Sequence, residues 1–260
     1  MLSGRCALVT GSVAGLGYAI AKALATSGAR VALNGLCDPA EGEAAAAQLS
    51  AATGAEAIFC GADLRRVADI ERMMREIADR LGNVDIVVNN AVVRHFSPIE
   101  SFSAEDWDTA LAVNVSAAFH CIRLAVPFMR SQGWGRIVNV SSIYASRGAE
   151  NRVDYVTTKT ALVGMTRAVA LELARTGITC NAVCPGTVPS PAILDRIAGI
   201  ADQQGVSRDE AEREYIAPRH PTGRFVAMEN VGALVAFLCG PAGADITGAM
   251  LPIDGGWQAR

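Results

Sequence analysis

A chain of 260 residues that is 51% hydrophobic and 19% charged carries enough apolar material for one sizeable core. Its 23 basic and 26 acidic residues sum to −3, so no global basic field exists to attract nucleic acid or an anionic membrane, and a small-molecule partner is expected. Seven scattered cysteines without a CxxC pair supply neither a disulfide framework nor metal-ligand spacing; with no leader-like segment and no apolar run of the ~18 residues a membrane crossing needs, a soluble cytoplasmic protein without a bound metal is expected.

Hydrophobic period then gives the elements in chain order. A strand over Cys6–Thr10 leads to a helix over Leu16–Thr26, Val31–Asn34 to Ala40–Ala52, and Ala57–Cys60 to Val67–Leu81. The strand Val84–Asn89 precedes a long helix, Ala104–Ser131, read as broken near Asn114; Arg136–Ser141 precedes Asp154–Thr176. After the strand Thr179–Cys184 comes an excursion from Thr187 to Arg224, rich in proline and charge, with short helical patterns at Ala192–Ile200 and Arg208–Ile216. A helix over Met228–Leu238 and a strand over Met250–Asp254 close the chain. Asp38-Pro39 has the cap-then-proline order of a helix start, and Ser103 stands three residues before Asp106 with capping-box spacing. Apolar strands alternating with helices imply a single doubly wound α/β domain over 1–260, a seven-stranded parallel sheet covered on both faces. Ligands in such folds gather at the carboxyl ends of the strands, where the 187–224 segment is placed to act as a lid; a plain surface excursion is the alternative.

Two ends of a site can be read. Gly11-Ser12-Val13-Ala14-Gly15-Leu16-Gly17 follows the first strand and opens a helix, which suits a dinucleotide pyrophosphate: glycines let the backbone approach, and the helix N-terminus offers N–H groups and a positive dipole end. The second strand ends at Leu33-Asn34-Gly35-Leu36-Cys37-Asp38 without a cation for a 2′-phosphate, so NAD is expected over NADP. Asp38 reads either as a ribose acceptor or as the cap of the next helix. Asp63, with Leu64, reads either as an adenine contact or as a cap. At the other end, Tyr155 and Lys159 stand four residues apart on one helix face, where an ammonium stabilises a phenolate and lets a tyrosine exchange protons near neutral pH. Lys22 and Lys159 are the only lysines among 23 basic residues, which makes a lysine at this spacing informative. Ser142, at the end of the fifth strand, is placed to hydrogen-bond a substrate oxygen, or simply ends the strand. No G-x-S-x-G elbow surrounds it, and His95, His120 and His220 have no positional claim as its base, though His95 follows the fourth strand.

Over essentially its whole length the chain resembles the short-chain dehydrogenase/reductase family. The resemblance rests on Thr10-Gly11, Gly15, Gly17, Asp63-Leu64, Asn89-Asn90-Ala91, Asn114, Ser142, Tyr155, Lys159, Asn181, Pro185-Gly186 and Ile253-Asp254-Gly255-Gly256. It implies a Rossmann fold binding a nicotinamide cofactor, with Tyr155 as proton donor or acceptor. Lys159 would bind the nicotinamide ribose and lower the tyrosine pKa, Ser142 would position the substrate oxygen, and Asn114 would hold a water in a proton relay. Cofactor contacts are further implied for Gly11, Ser12, Gly15, Leu16, Gly17, Leu36, Asp63, Leu64, Asn90, Ala91, Pro185, Gly186 and Val188. A homotetramer or dimer built on the helices containing Asn114 and Tyr155 is implied as well. Val92 stands where the family usually has glycine, and Ser190 where it often has threonine.

Within the family the chain looks most like bacterial 3-hydroxybutyrate dehydrogenases, through Asn34-Gly35, Gly61-Ala62-Asp63-Leu64, His95, Asp254-Gly255-Gly256-Trp257 and Ala259-Arg260. Pocket positions differ together: Arg94 replaces their glutamine, Tyr144 their histidine, Arg152 their lysine and Thr187 their tryptophan. Arg94, Tyr144, Arg152, Thr187, Arg196 and Trp257, with Ser142 and Tyr155, are the candidate substrate contacts. An anionic hydroxy or keto acid is the expected substrate class. A 3-oxoacyl thioester reductase using NADPH is the alternative, needing a cation at the cofactor end, and a non-catalytic nucleotide sensor would be expected to lose part of the Asn-Ser-Tyr-Lys set.

Overall fold

The computed structural model describes residues 2–259; Met1 and Arg260, the latter one of the residues carrying the resemblance, lie outside the description. Seven strands, β1 (Cys6–Val9), β2 (Arg30–Leu33), β3 (Ala57–Phe59), β4 (Ile86–Asn89), β5 (Gly135–Val140), β6 (Ile178–Pro185) and β7 (Met250–Ile253), form one parallel sheet in the order β3-β2-β1-β4-β5-β6-β7. The chain winds one way from β1 to β3 and the other way from β4 onward, so a crevice opens between the carboxyl ends of β1 and β4. Register keeps those ends level: Val9 pairs with both Leu33 and Val88, and Asn89 with Asn139.

Strand residues are apolar on both faces because each face meets helices. Val9, Leu33 and Val88 pack with Ile20 and Leu24 of α1 (Gly15–Thr26), Leu49 of α2 (Pro39–Thr53) and Val231 and Val235 of the late helix Met228–Cys239. Leu8, Ala32, Val87 and Ile137 face the other way, onto Ile70, Met73 and Ile77 of α3 (Val67–Leu81) and the helices that follow β4 and β5.

Those helices differ from the sequence expectation in one respect. The break expected near Asn114 is a π turn, Ala112–Ser116, through which α4 (Ala104–Leu111) continues into α5 (Ala117–Gln132). Asn114 does not terminate the helix because its side chain bonds outward, to Val93 and Thr158, rather than to its own backbone. The resulting run, Ala104–Gln132, spans 29 residues at a mean hydropathy of 1.5, which meets the length and polarity of a membrane-crossing helix, contrary to expectation. Cys121, Ile122 and Ala125 in its second half are buried against the sheet, so its apolarity is that of a core helix. After β5, α6 (Val153–Leu173) begins one residue earlier than expected, and the excursion holds α7 (Pro191–Gln204), longer than predicted, and α8 (Arg208–Ile216); α9 is the late helix Met228–Cys239.

The 187–224 excursion is pinned at its base by His220, which is buried: its Nε2 accepts from the Thr187 N–H at 2.9 Å, and its Nδ1 donates to the Arg224 carbonyl at 2.7 Å. α7 and α8 then pack on each other through Ile197, Ala201 and Ala211. Asp38 resolves as a cap, its carboxylate accepting from the Ala40 N–H at 2.8 Å, and the sequence's capping serine, Ser103, accepts from Asp106 N at 3.4 Å. Asp38→Ala is therefore expected to lower stability by about 1 kcal/mol in a denaturant titration and to leave dinucleotide affinity unchanged. Lost affinity at unchanged stability would return Asp38 to the ligand.

Candidate active site

At the carboxyl ends of the strands lies a cleft of about 550 Å3. Its first end is built by the glycine turn. Gly11 has φ +60°, and a Cβ there would sit 2.8 Å from Ala91 Cα; a Cβ on Gly17 would overlap the Gly11 carbonyl. The Asn90 amide holds the turn by donating to the Thr10 and Gly11 carbonyls at 2.9 and 2.8 Å, while Thr10 Oγ1 accepts from the N–H groups of Asn90 and Ala91. Gly11, Leu16, Gly17, Leu36, Asp63, Leu64, Asn90, Ala91, Pro185, Gly186 and Val188 all line the cleft as expected. Ser12 and Gly15 do not. Ser12 turns inward, donating to the Val9 carbonyl at 2.6 Å and accepting from Asn34 N, which spends its hydroxyl on the fold.

Sequence reasoning missed Arg65 at this end. It lines the cleft because the chain turns back after Asp63, whose carboxylate accepts from the Arg65 backbone N–H and from its guanidinium, at 2.6 Å for the closest contact. Asp63 is thus neither free nor a cap for α3, which begins after Arg66; the Arg65 guanidinium holds its carboxyl below the usual carboxylate range.

The second end is set by α6. Lys159 is buried, and its ammonium donates to the Val140 carbonyl at 2.7 Å, 5.6 Å from the Tyr155 ring centroid. Ser141 Oγ donates to the Lys159 carbonyl at 2.7 Å and so ties the first turns of α6 to the end of β5. Ser142 follows with Oγ accepting from Tyr144 N at 3.2 Å, which leaves its single O–H free to donate. Burial pushes the Lys159 ammonium down to about 8, so the charged form prevails below that pH and is lost as pH rises through it. Tyr155, Lys159 and Ser142 line the cleft; Asn114 lies behind the wall, buried, with Val93 N–H, Val93 carbonyl and Thr158 Oγ1 as its partners.

Around Tyr155 the expected substrate contacts Arg94, Tyr144, Arg152, Thr187 and Trp257 line the cleft, as does Val92, whose side chain occupies wall space that glycine would leave open. Tyr144 meets Tyr155 and Trp257 edge-on at ring separations of 6.0 and 5.7 Å. Arg152 precedes α6 rather than lying in it, and its guanidinium stacks over the Tyr155 ring at 4.6 Å and over Phe96 at 4.1 Å. Its Nε is buried without a hydrogen-bond partner, and no carboxylate pairs with it among the described residues. Burial and the Arg94 charge hold its pKa below the ordinary arginine value, against the opposing pull of the two tyrosines. Arg196 is not in the wall; it stacks on the same Phe96 ring at 4.8 Å. Phe96, Tyr215 and Arg219 were not anticipated; the only sequence signal for the last two was their four-residue spacing on the excursion, where Arg219 stacks on Tyr215 at 4.0 Å. His95 does not line the cleft, its ring being bonded to Asp154.

The family model described as enoyl-(acyl carrier protein) reductase matches residues 11–258. A D-beta-hydroxybutyrate dehydrogenase of Cupriavidus necator is 42% identical over 260 residues, all of both chains, and one of Rhizobium meliloti is 38% identical over 256 residues, 98% of this chain and 99% of the relative. The chain belongs to the short-chain dehydrogenase/reductase family. Among solved structures, L-sorbose reductase from Gluconobacter frateurii, complexed with NADPH and L-sorbose, superposes with a TM-score of 0.95 at 26% identity, covering 100% of this chain and 98% of that one.

Because the chain has only two lysines, labelling lysine with 13C at Cε gives two resonances to follow by NMR. One is expected to titrate near pH 8 and to vanish in Lys159→Met. A Lys159 signal that titrates with the ordinary lysine midpoint of about 10.4 would contradict its burial.

Proposed function

We propose that this enzyme interconverts a small anionic hydroxy acid and its keto acid using NAD. The observation that carries the substrate class is Arg152: a half-buried guanidinium against the Tyr155 ring, with an unpartnered Nε and no carboxylate on the protein to balance it. A cation taken out of water without a counter-charge is costly, and a carboxylate or sulfonate on the substrate would supply that charge with matching oxygen geometry. Arg94 adds a second cation in the same wall. The names of the two hydroxybutyrate dehydrogenase relatives support a hydroxy acid. The changed residues at 94, 144, 152 and 187 argue for a different skeleton from hydroxybutyrate.

The residues present fit a nicotinamide dinucleotide. The glycine turn leaves space for a pyrophosphate at the N-terminus of α1, and Ser190 Oγ lies buried and unpartnered in the cleft wall, available to a carboxamide. Bound there, the nicotinamide would give or take the hydride. NAD is favoured because Asp38 caps α2, Leu36 stands exposed at the β2 end, and Arg65, the cation nearest to hand for a 2′-phosphate, is held by Asp63. That engagement also weighs against the NADPH-dependent 3-oxoacyl thioester reductase. Tyr155 would exchange the hydroxyl proton, the Lys159 ammonium favouring its phenolate, while the free Ser142 O–H donates to the substrate oxygen and Asn114 braces the wall. The 187–224 segment would close over the substrate as a lid hinged at its His220 pin. Assembly into a dimer or tetramer through the α5 and α6 faces is supported by exposed Phe119 and Leu171.

Tyr155→Phe is expected to cut turnover at least a hundredfold or so with cofactor binding intact. A variant keeping about a tenth of wild-type turnover, with chemistry limiting, overturns the role. The substrate class is tested by a panel of hydroxy acids, sugar acids, sulfonates and uncharged alcohols under NAD and NADP, with reduced-nicotinamide absorbance as the readout. Arg152→Ala should lower kcat/KM for the best anionic substrate about tenfold or more, mainly through KM, and spare an uncharged alcohol. Equal losses on both would make Arg152 structural and remove the anionic reading.

A further inference from the structure

The segment after β4 runs past the cleft in an alternating fashion. Val93 N–H is held by Asn114 Oδ1 at 2.8 Å, His95 N–H by Asp154 Oδ2 at 3.0 Å, and Ser97 N–H by the Asn151 carbonyl at 3.2 Å. Anchors two residues apart are the mark of an extended chain, in which the residues between them face the other side. Those residues are Arg94, in the cleft wall, and Phe96, the ring on which Arg152 and Arg196 both stack.

The middle anchor differs from the other two in being charged. Asp154 has no exposed surface, and its carboxylate is surrounded by three N–H donors: the His95 backbone at 3.0 Å, His95 Nδ1 at 3.0 Å and the Tyr155 backbone at 2.5 Å. The carboxylate can only accept, so the imidazole proton sits on Nδ1; Nε2 points toward Asp106, 3.5 Å away at the surface. One side chain therefore grips both segments of the subsite: Asp154 lies two residues after Arg152 and directly before Tyr155, and His95 lies between Arg94 and Phe96.

We propose that His95 and Asp154 are a positioning pair that sets Arg94 and Phe96 against Arg152 and so determines selectivity for the anionic group of the substrate. Neither residue touches substrate or cofactor. The inference rests on the anionic-substrate reading above. Without the pair, the loop keeps its end anchors at Val93 and Ser97, so the fold and the dinucleotide end persist, while the ring beneath Arg152 loses its fixed place.

The test compares His95→Ala, His95→Asn, Asp154→Ala and the double variant His95→Ala/Asp154→Ala, using the best anionic substrate of the panel and 2-butanol as the uncharged alcohol. Asparagine retains an N–H close to the position of Nδ1. His95→Ala and Asp154→Ala should each raise KM for the anion about fivefold or more, with kcat, NAD affinity and KM for 2-butanol within about twofold of wild type. His95→Asn should restore most of the loss, and the double variant should be no worse than the poorer single, because both remove the same contact. Multiplying effects in the double variant, no rescue by asparagine, or equal losses on anion and alcohol overturn the pairing, as does a variant that merely melts earlier with KM unchanged. If Asp154→Ala fails to fold, His95→Ala against His95→Asn decides alone. A charge-blind Arg152→Ala defeats the substrate reading itself, and the proposal with it; a charge-selective Arg152→Ala with silent His95 variants defeats only the pair.

Discussion

The Lys159 ammonium donates to the Val140 carbonyl while Ser141 Oγ donates to the Lys159 carbonyl, so α6 and the end of β5 are bound to each other in both directions within one turn of helix. Everything at the reactive end depends on this. It places Ser142 beside the first turn of α6, presents the Tyr155 ring to the cleft, and removes Lys159 from water far enough to bring its pKa down to about 8. A longer connection between strand and helix would leave the same three side chains without common geometry.

Electrostatics divides the cleft into two unlike ends. At the adenosine side the cation is cancelled on the protein, Arg65 by Asp63. At the substrate side Arg152 and Arg94 have no carboxylate partner among the described residues, and the nearby acid, Asp154, is turned away and engaged by His95. The chain thus neutralises charge where a dinucleotide without a 2′-phosphate would lie and leaves it uncompensated where a substrate anion would lie. Aromatic faces make this tolerable: Phe96, Tyr144 and Tyr155 each offer a π surface to Arg152, which replaces part of the hydration the guanidinium has lost.

The order of strands and helices, the parallel sheet and the glycine turn were legible in the sequence because each depends on local pattern: apolar runs of strand length, 3.6-residue period, and glycines at a strand-to-helix junction. The spacing of Tyr155 and Lys159 on one helix face was legible for the same reason. Asp38 illustrates the limit of such reading. Its two roles were equally consistent with the local sequence, and only the direction of its carboxylate, toward Ala40, separated them.

What tertiary structure alone decided were the meetings between residues distant in sequence. Asn114 was expected to mark a helix break and instead sits in a π turn, because Val93 and Thr158, 21 and 44 residues away, satisfy its amide. Arg65 reached the cofactor end, Phe96 became the ring shared by Arg152 and Arg196, and His95 left the cleft wall for Asp154, 59 residues on. None of these has a periodicity or motif to announce it. Sequence pattern determines which face of an element is apolar and where the backbone can turn, whereas the pairing of isolated polar side chains is set by which loops the sheet order brings together, and that is a property of the assembled fold.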